Sequence, residues 1–286
     1  LPRARIPVEA VYGIAFTLPF LLVFGAFVAY PILLEVIVSF IFRPFVGEPR
    51  VSLENFEIFL SDPLFYSAFR NTLLYVGIAV NIKLILSFFL SGLLTFRNRA
   101  VRVYEAVYLL PWVFPLVANL VIFRWMLERD IGIVNGILSS LGFERVNWLG
   151  AYTTAMIAII FFHIWKYTPF WTLVLYAGRQ SIPSDLYEAA QIDGAGLVQR
   201  LRYVTLPAMR NLYIICTLLS SIFVLGEFVV VWLLTRGGPA DTTHMIATLA
   251  YRYAFWMGRV NVAAATILSV IPIILVLMFI IFKLRR

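Results

Sequence analysis

Six apolar runs, each about as long as a helix must be to cross a bilayer, divide this 286-residue chain. They extend from about Gly13 to Phe40, Asn71 to Phe96, Tyr104 to Leu127, Ala151 to Tyr176, Leu212 to Leu234 and Val260 to Phe282. A hydrocarbon core roughly 30 Å thick asks for about 20 apolar residues per helix. Within that core every backbone N–H and C=O must be paired inside the protein, which leaves helices as the spanning structure for runs of this length. The expectation is an all-α polytopic membrane protein with six transmembrane helices, forming one domain over 1–286. Hydrophobic residues at 62% against 13% charged, with mean hydropathy +0.91, exclude an ordinary soluble fold. Six spans and their loops use up the length, so no separate soluble catalytic domain is expected.

Several chemistries drop out on residue inventory. One cysteine, Cys216, and two histidines, His163 and His244, supply neither a disulfide framework nor a Cys/His metal site. No carboxylate pair or nucleophile constellation points to an enzyme. No Gly-x-x-x-x-Gly-Lys-Ser/Thr phosphate loop is present, so ATP hydrolysis is expected of another chain. The net charge of +8 comes from residues scattered along short loops, which argues for membrane topology and against nucleic acid. Arg3 and Arg5 precede no short apolar segment with a cleavage site, so no removable signal peptide is expected.

An even number of spans puts both termini on one side. Placing them inside assigns 12 Lys and Arg residues to inner segments and 9 to outer loops, a weak positive-inside bias. The inner set includes the tight basic turn Arg97, Arg99 and Arg102 and the tail Lys283, Arg285 and Arg286. Acids number 5 inside and 8 outside, which makes the inner side the more basic.

That orientation puts the long polar stretch Ser181–Pro207 in the cytoplasm. Pro183, Ser184 and Asp185 read as a helix start, with the serine hydroxyl capping an orphan backbone N–H. Leu186, Ala190 and Leu197 recur at helical spacing, Ala189 and Ala190 permit close approach, and Gly194 allows a turn. Arg200 and Arg202 lead back toward an anionic leaflet. The series Glu188-Ala189-Ala190, Asp193-Gly194-Ala195 and Thr205-Leu206-Pro207 resembles the EAA loop of ABC importer permeases, and the chain resembles the sugar-permease branch typified by maltose and glycerol-phosphate systems. The resemblance implies that this loop, between spans four and five, is a coupling helix seated in a cytoplasmic ATPase subunit. Tyr187, Glu188, Ala189, Ala190, Asp193, Gly194 and Ala195 would form it. Leu201 stands where the family usually has phenylalanine.

Outside that loop, Asn55-Phe56, Asp62-Pro63 and Asn71-Thr72-Leu73 match the branch's loop between its first two spans. The stretch from Leu234 through Pro239, with Thr242-Thr243 and Tyr251–Phe255, resembles its last outer loop. The resemblance also implies the partners: a second homologous permease, two ATP-binding subunits that hold ATP and Mg, and an extracytoplasmic solute-binding protein. This chain would carry no cofactor of its own and sit in the inner membrane.

Charges inside the spans need partners, because a charge at a helix centre costs about 2.5–3.5 kcal/mol on insertion scales. Lys83 is read as snorkelling or partnering a neighbouring span, and His163 as a hydrogen-bonded interior residue. Lys166 and Glu227 are expected to lie near one another, either as an ion pair between helices or as part of a solute path. Aromatic faces with a few polar groups suit a sugar, and the resemblance carries ligand contact onto Lys166, Tyr167, Phe170, Ser220, Val224 and Glu227. Pro111 and Pro115 in the third span free backbone carbonyls, which reads equally as a pore-lining kink or a packing kink. An ion-coupled secondary transporter is the alternative from another class; it calls for inverted repeats, and none is visible.

Overall fold

The computed structural model describes residues 8–43, 48–95 and 99–285. The expected basic groups Arg3, Arg5, Arg97 and Arg286 lie outside the described residues. Five helices are long and apolar enough to cross a membrane: Tyr12–Ser39, Pro63–Leu93, Tyr152–Gln180, Leu197–Leu225 and Val260–Ile280. A sixth crossing is the broken pair Val103–Val113 and Leu116–Met126, bent by 95°. The two prolines of the third run thus make a break rather than a gentle kink. Pro115 stands at the N-cap of the second half, where its missing N–H costs no helical bond.

Two boundaries differ from the apolar runs. The second span starts at Pro63, eight residues before the apolar core, because Asp62 accepts from the Leu64 N–H at 2.9 Å and Pro63 presets the first helical φ. The fifth begins at Leu197 and ends at Leu225. Gly226 closes it, and a separate helix, Val229–Leu234, follows. Among the described residues, short π-helical turns interrupt three helices, two of them at Val76–Val80 in span two and Leu201–Thr205 at the start of span five.

The chain divides into two compact units. In the first, Leu1–Ser61 with Ala250–Ser269, a two-stranded antiparallel hairpin pairs Ile41–Phe42 with Arg50–Val51. Asn55, buried, donates to the carbonyls of Ser39 and Ile41 at 2.9 and 3.0 Å. Asn261 donates to those of Val38 and Ile41. These two amides satisfy the carbonyls left over where the first span ends. Beside the hairpin, the hydrogen bond from Arg50 holds the Glu54 carboxyl below its usual pKa.

The second unit, Asp62–Leu249 with Val270–Arg286, contains the main core, in which Tyr75, Leu84, Ile159, Phe162 and Leu175 are fully enclosed. Spans two and four form its centre. Arg179 donates to Ser91 Oγ at 3.1 Å and to the Phe88 carbonyl at 3.0 Å, and Asn71 donates to the carbonyls of Thr242 and His244 at 2.7 and 3.0 Å. Polar side chains therefore tie both ends of these spans, where an unsatisfied group would be expensive in lipid.

Candidate functional site

The polar stretch after the fourth span folds as the helix Ser184–Ile192. Pro183, not Ser184, is its N-cap, and Ser184 Oγ donates to Asp185 Oδ1 at 3.3 Å instead of capping the backbone. The far end is a Schellman motif. Ala195 N–H donates to the Ala190 carbonyl at 2.8 Å and Gly194 N–H to that of Gln191 at 3.1 Å, with Gly194 at φ +80°. A side chain is disfavoured there by the left-handed backbone, not by crowding, since nothing lies within 4 Å of a Cβ at Gly194. Glu188, Ala189, Asp193 and Gly194 are exposed, whereas Tyr187 turns inward and shares a 2.9 Å hydrogen bond with Thr205. The helix buries none of its residues, so its outer face is exposed. Leu197 belongs to the next helix, not to this one's apolar face.

At the break in span three, Lys166 Nζ donates to the carbonyls of Pro111, Trp112 and Phe114, at 2.7, 3.2 and 2.5 Å. An ammonium has three protons, and here each has a carbonyl. The orphan acceptors at the C-terminus of Arg99–Val113 are thus capped by a cation, which also suits the negative end of the helix dipole. Asn119 adds a second donor to Pro111 at 2.9 Å. Lys166 is 3% exposed, and among the described residues no ion pair joins it to Glu227.

Glu227 lies instead in the break after span five. One carboxylate oxygen accepts from the Val230 N–H at 3.1 Å, and the other is 3.7 Å from His163 Nδ1. On the far side of that ring, Lys83 Nζ is 2.9 Å from Nε2. The imidazole therefore stands between Lys83 on its Nε2 side and Glu227 on its Nδ1 side. Lys83 is 2% exposed and lies 5.7 and 5.8 Å from the ring centres of Tyr167 and Trp171, so it partners the fourth span and does not snorkel. The Tyr75 ring meets His163 edge-on, and its hydroxyl, like Ser220 Oγ, is buried without a hydrogen-bond partner among the described residues.

This row of charges forms one wall of a 390 Å³ cavity, within the ~300–1,000 Å³ range of small-molecule sites. Trp112 and Phe170 form another, their rings 5.4 Å apart, with Tyr167, Trp171 and Phe228 completing an aromatic lining. The bend in span three delivers Trp112, and the break after span five delivers Glu227. Both of these breaks thus place a side chain on the cavity.

Residues 83–286 match the family described as binding-protein-dependent transport system inner membrane component. The chain belongs to this family. It is an ABC transporter permease, and the alternative of an ion-coupled secondary transporter falls away. The permease is 36% identical to the trehalose/maltose transport system permease protein MalF of Thermococcus litoralis, over 97% of this chain and 94% of that one. To the xylose/arabinose import permease protein XacH of Haloferax volcanii it is 31% identical, over 92% and 83%. Its fold matches a permease chain in the crystal structure of a bacterial ABC transporter that imports the acidic polysaccharide alginate, with a TM-score of 0.83 at 24% identity, covering 97% and 96% of the two chains.

Of the six positions carried over by resemblance, Tyr167, Phe170 and Glu227 line the permease's cavity. Lys166 lies behind it, on the carbonyls of the bend, while Ser220 and Val224 are enclosed in the core at 0% and 1% exposure. Sequence reasoning missed Trp112 and Trp171. The signal for Trp112 was its place inside Leu110-Pro111-Trp112-Val113-Phe114-Pro115, a tryptophan held between two helix-breaking prolines.

Proposed function

We propose that this permease is the membrane-spanning subunit of an ATP-driven importer that carries a sugar or sugar-like solute inward by alternating access. The observation that carries the solute class is the aromatic cavity with its few fixed polar groups. Ring faces of Trp112 and Phe170 suit the C–H face of a sugar, and Glu227 and His163, which share the lining, suit its hydroxyls. The names of the trehalose/maltose and xylose/arabinose relatives support the same class.

The helix Ser184–Ile192 and the turn Asp193-Gly194-Ala195 couple the cavity to separate ATPase subunits, with Glu188, Ala189 and Ala190 on the docking side and Tyr187 transmitting movement to span five through Thr205. ATP and Mg belong to those subunits, and this chain catalyses no reaction. A related second permease and a solute-binding protein complete the assembly; the alginate relative, in its complex with a pentasaccharide-bound periplasmic protein, supports the latter. Residues 1–286 act as one transmembrane domain, with both termini in the cytoplasm.

Trp112→Ala in the assembled complex tests the cavity. Removing one ring of this aromatic wall costs about 1.4 kcal/mol, so the solute concentration for half-maximal uptake rises about tenfold while the complex assembles normally. Unchanged uptake kinetics would remove the cavity from the solute path.

A further inference from the structure

A second and larger recess, of 730 Å³, lies at one membrane face of the second unit. Three spans end at it: Gly92 and Arg179 each stand one residue before the last of theirs, and Leu197 begins the fifth. The helix Ser184–Ile192 closes the fourth side with Ser184 and Tyr187. Two arginines, Arg179 and Arg200, line the recess, and among the described residues no carboxylate does. Arg179 is occupied in tying span four to span two. Arg200 is different, because its Nε is buried and has no hydrogen-bond partner among the described residues. A guanidinium with a desolvated, unmatched donor is costly unless an acceptor completes it.

The walls nearest the spans are apolar, with Phe89 at 58% exposure and Leu201 half-buried. Cationic donors at the level of the helix ends, above apolar side chains, match a molecule with a phosphate head and hydrocarbon tails. We propose that this recess binds the phosphate of an anionic phospholipid through Arg200, assisted by the positive field of Arg179, with the acyl chains lying over Phe89 and Leu201. The bound lipid fills the space between the coupling helix and the spans and braces Tyr187 against Thr205. The site is separate from the solute cavity and does not depend on which solute is carried.

The assembled complex, extracted in detergent and stripped of loosely held lipid, provides the test. Native mass spectrometry with added phosphatidylglycerol is expected to show retained lipid, about tenfold less in Arg200→Gln, the loss typical of one charge-assisted hydrogen bond. Phosphatidylcholine is expected to be retained poorly by both. The melting temperature should rise with phosphatidylglycerol and stay unchanged with inorganic phosphate, which distinguishes a lipid from a free anion. Equal retention of the two lipids, or equal retention of phosphatidylglycerol by wild type and Arg200→Gln, would overturn the proposal. So would stabilisation by inorganic phosphate alone. If wild-type complex retains no phosphatidylglycerol, the recess belongs to the docked ATPase and the lipid is excluded, a result that needs no variant to fold.

Discussion

Lys166→Met is expected to abolish uptake by loss of structure, because the carbonyls of Trp112 and Phe114 lose their donor at once and that of Pro111 keeps only Asn119. A buried polar group left unpaired costs about 1–3 kcal/mol, so the variant should lose about 3 kcal/mol or more. That equals roughly a hundredfold in the population of the bent state. The bend would relax, and with it the placement of Trp112 against Phe170. Lys166→Arg keeps a donor-rich cation and should recover part of the activity. Thermal melting and uptake are to be measured together. A normal melting temperature with only weakened solute affinity would mean that Lys166 touches the solute and does not hold the bend.

The second large effect falls on the coupling loop. Gly194 is the left-handed residue that closes the Ser184–Ile192 helix, and an L side chain there costs about 1–2 kcal/mol. Gly194→Val should therefore unwind the turn that presents Asp193 and Ala195, and uptake should fall at least about tenfold. Either ATP turnover persists in that complex without transport, or the ATPase dissociates. Gly194→Asn discriminates strain from crowding, since asparagine tolerates this conformation and the space is open. Near-normal uptake by Asn with severe loss by Val is the expected pattern. Equal tolerance of both in an assembled complex would detach this turn from coupling.

Much of the architecture was legible because membrane insertion imposes rules that a single sequence displays. Apolar length located the spans, and the paired prolines marked the third as interrupted. Asp62-Pro63 also announced the true start of span two, but the hydropathy of the run beginning at Asn71 masked that cap signal. The break at Gly226 was hidden for a similar reason, since apolar residues continue on both sides of it. Charge partners were the least legible. Lys83 and His163 are 80 positions apart and Lys166 and Pro111 are 55 apart, so no periodicity connects them. Opposite charge suggested Lys166 with Glu227; geometry gave the lysine to carbonyls and the carboxylate to a histidine.

Solute accumulation in proteoliposomes tests the central claim most directly. Vesicles would carry this permease with its second permease and ATPase subunits, with the binding protein outside and ATP inside. Accumulation is expected only when ATPase subunits and hydrolysable ATP are both present, and this chain purified alone should show no ATP turnover. Accumulation driven by an ion gradient through vesicles lacking the ATPase would contradict the account.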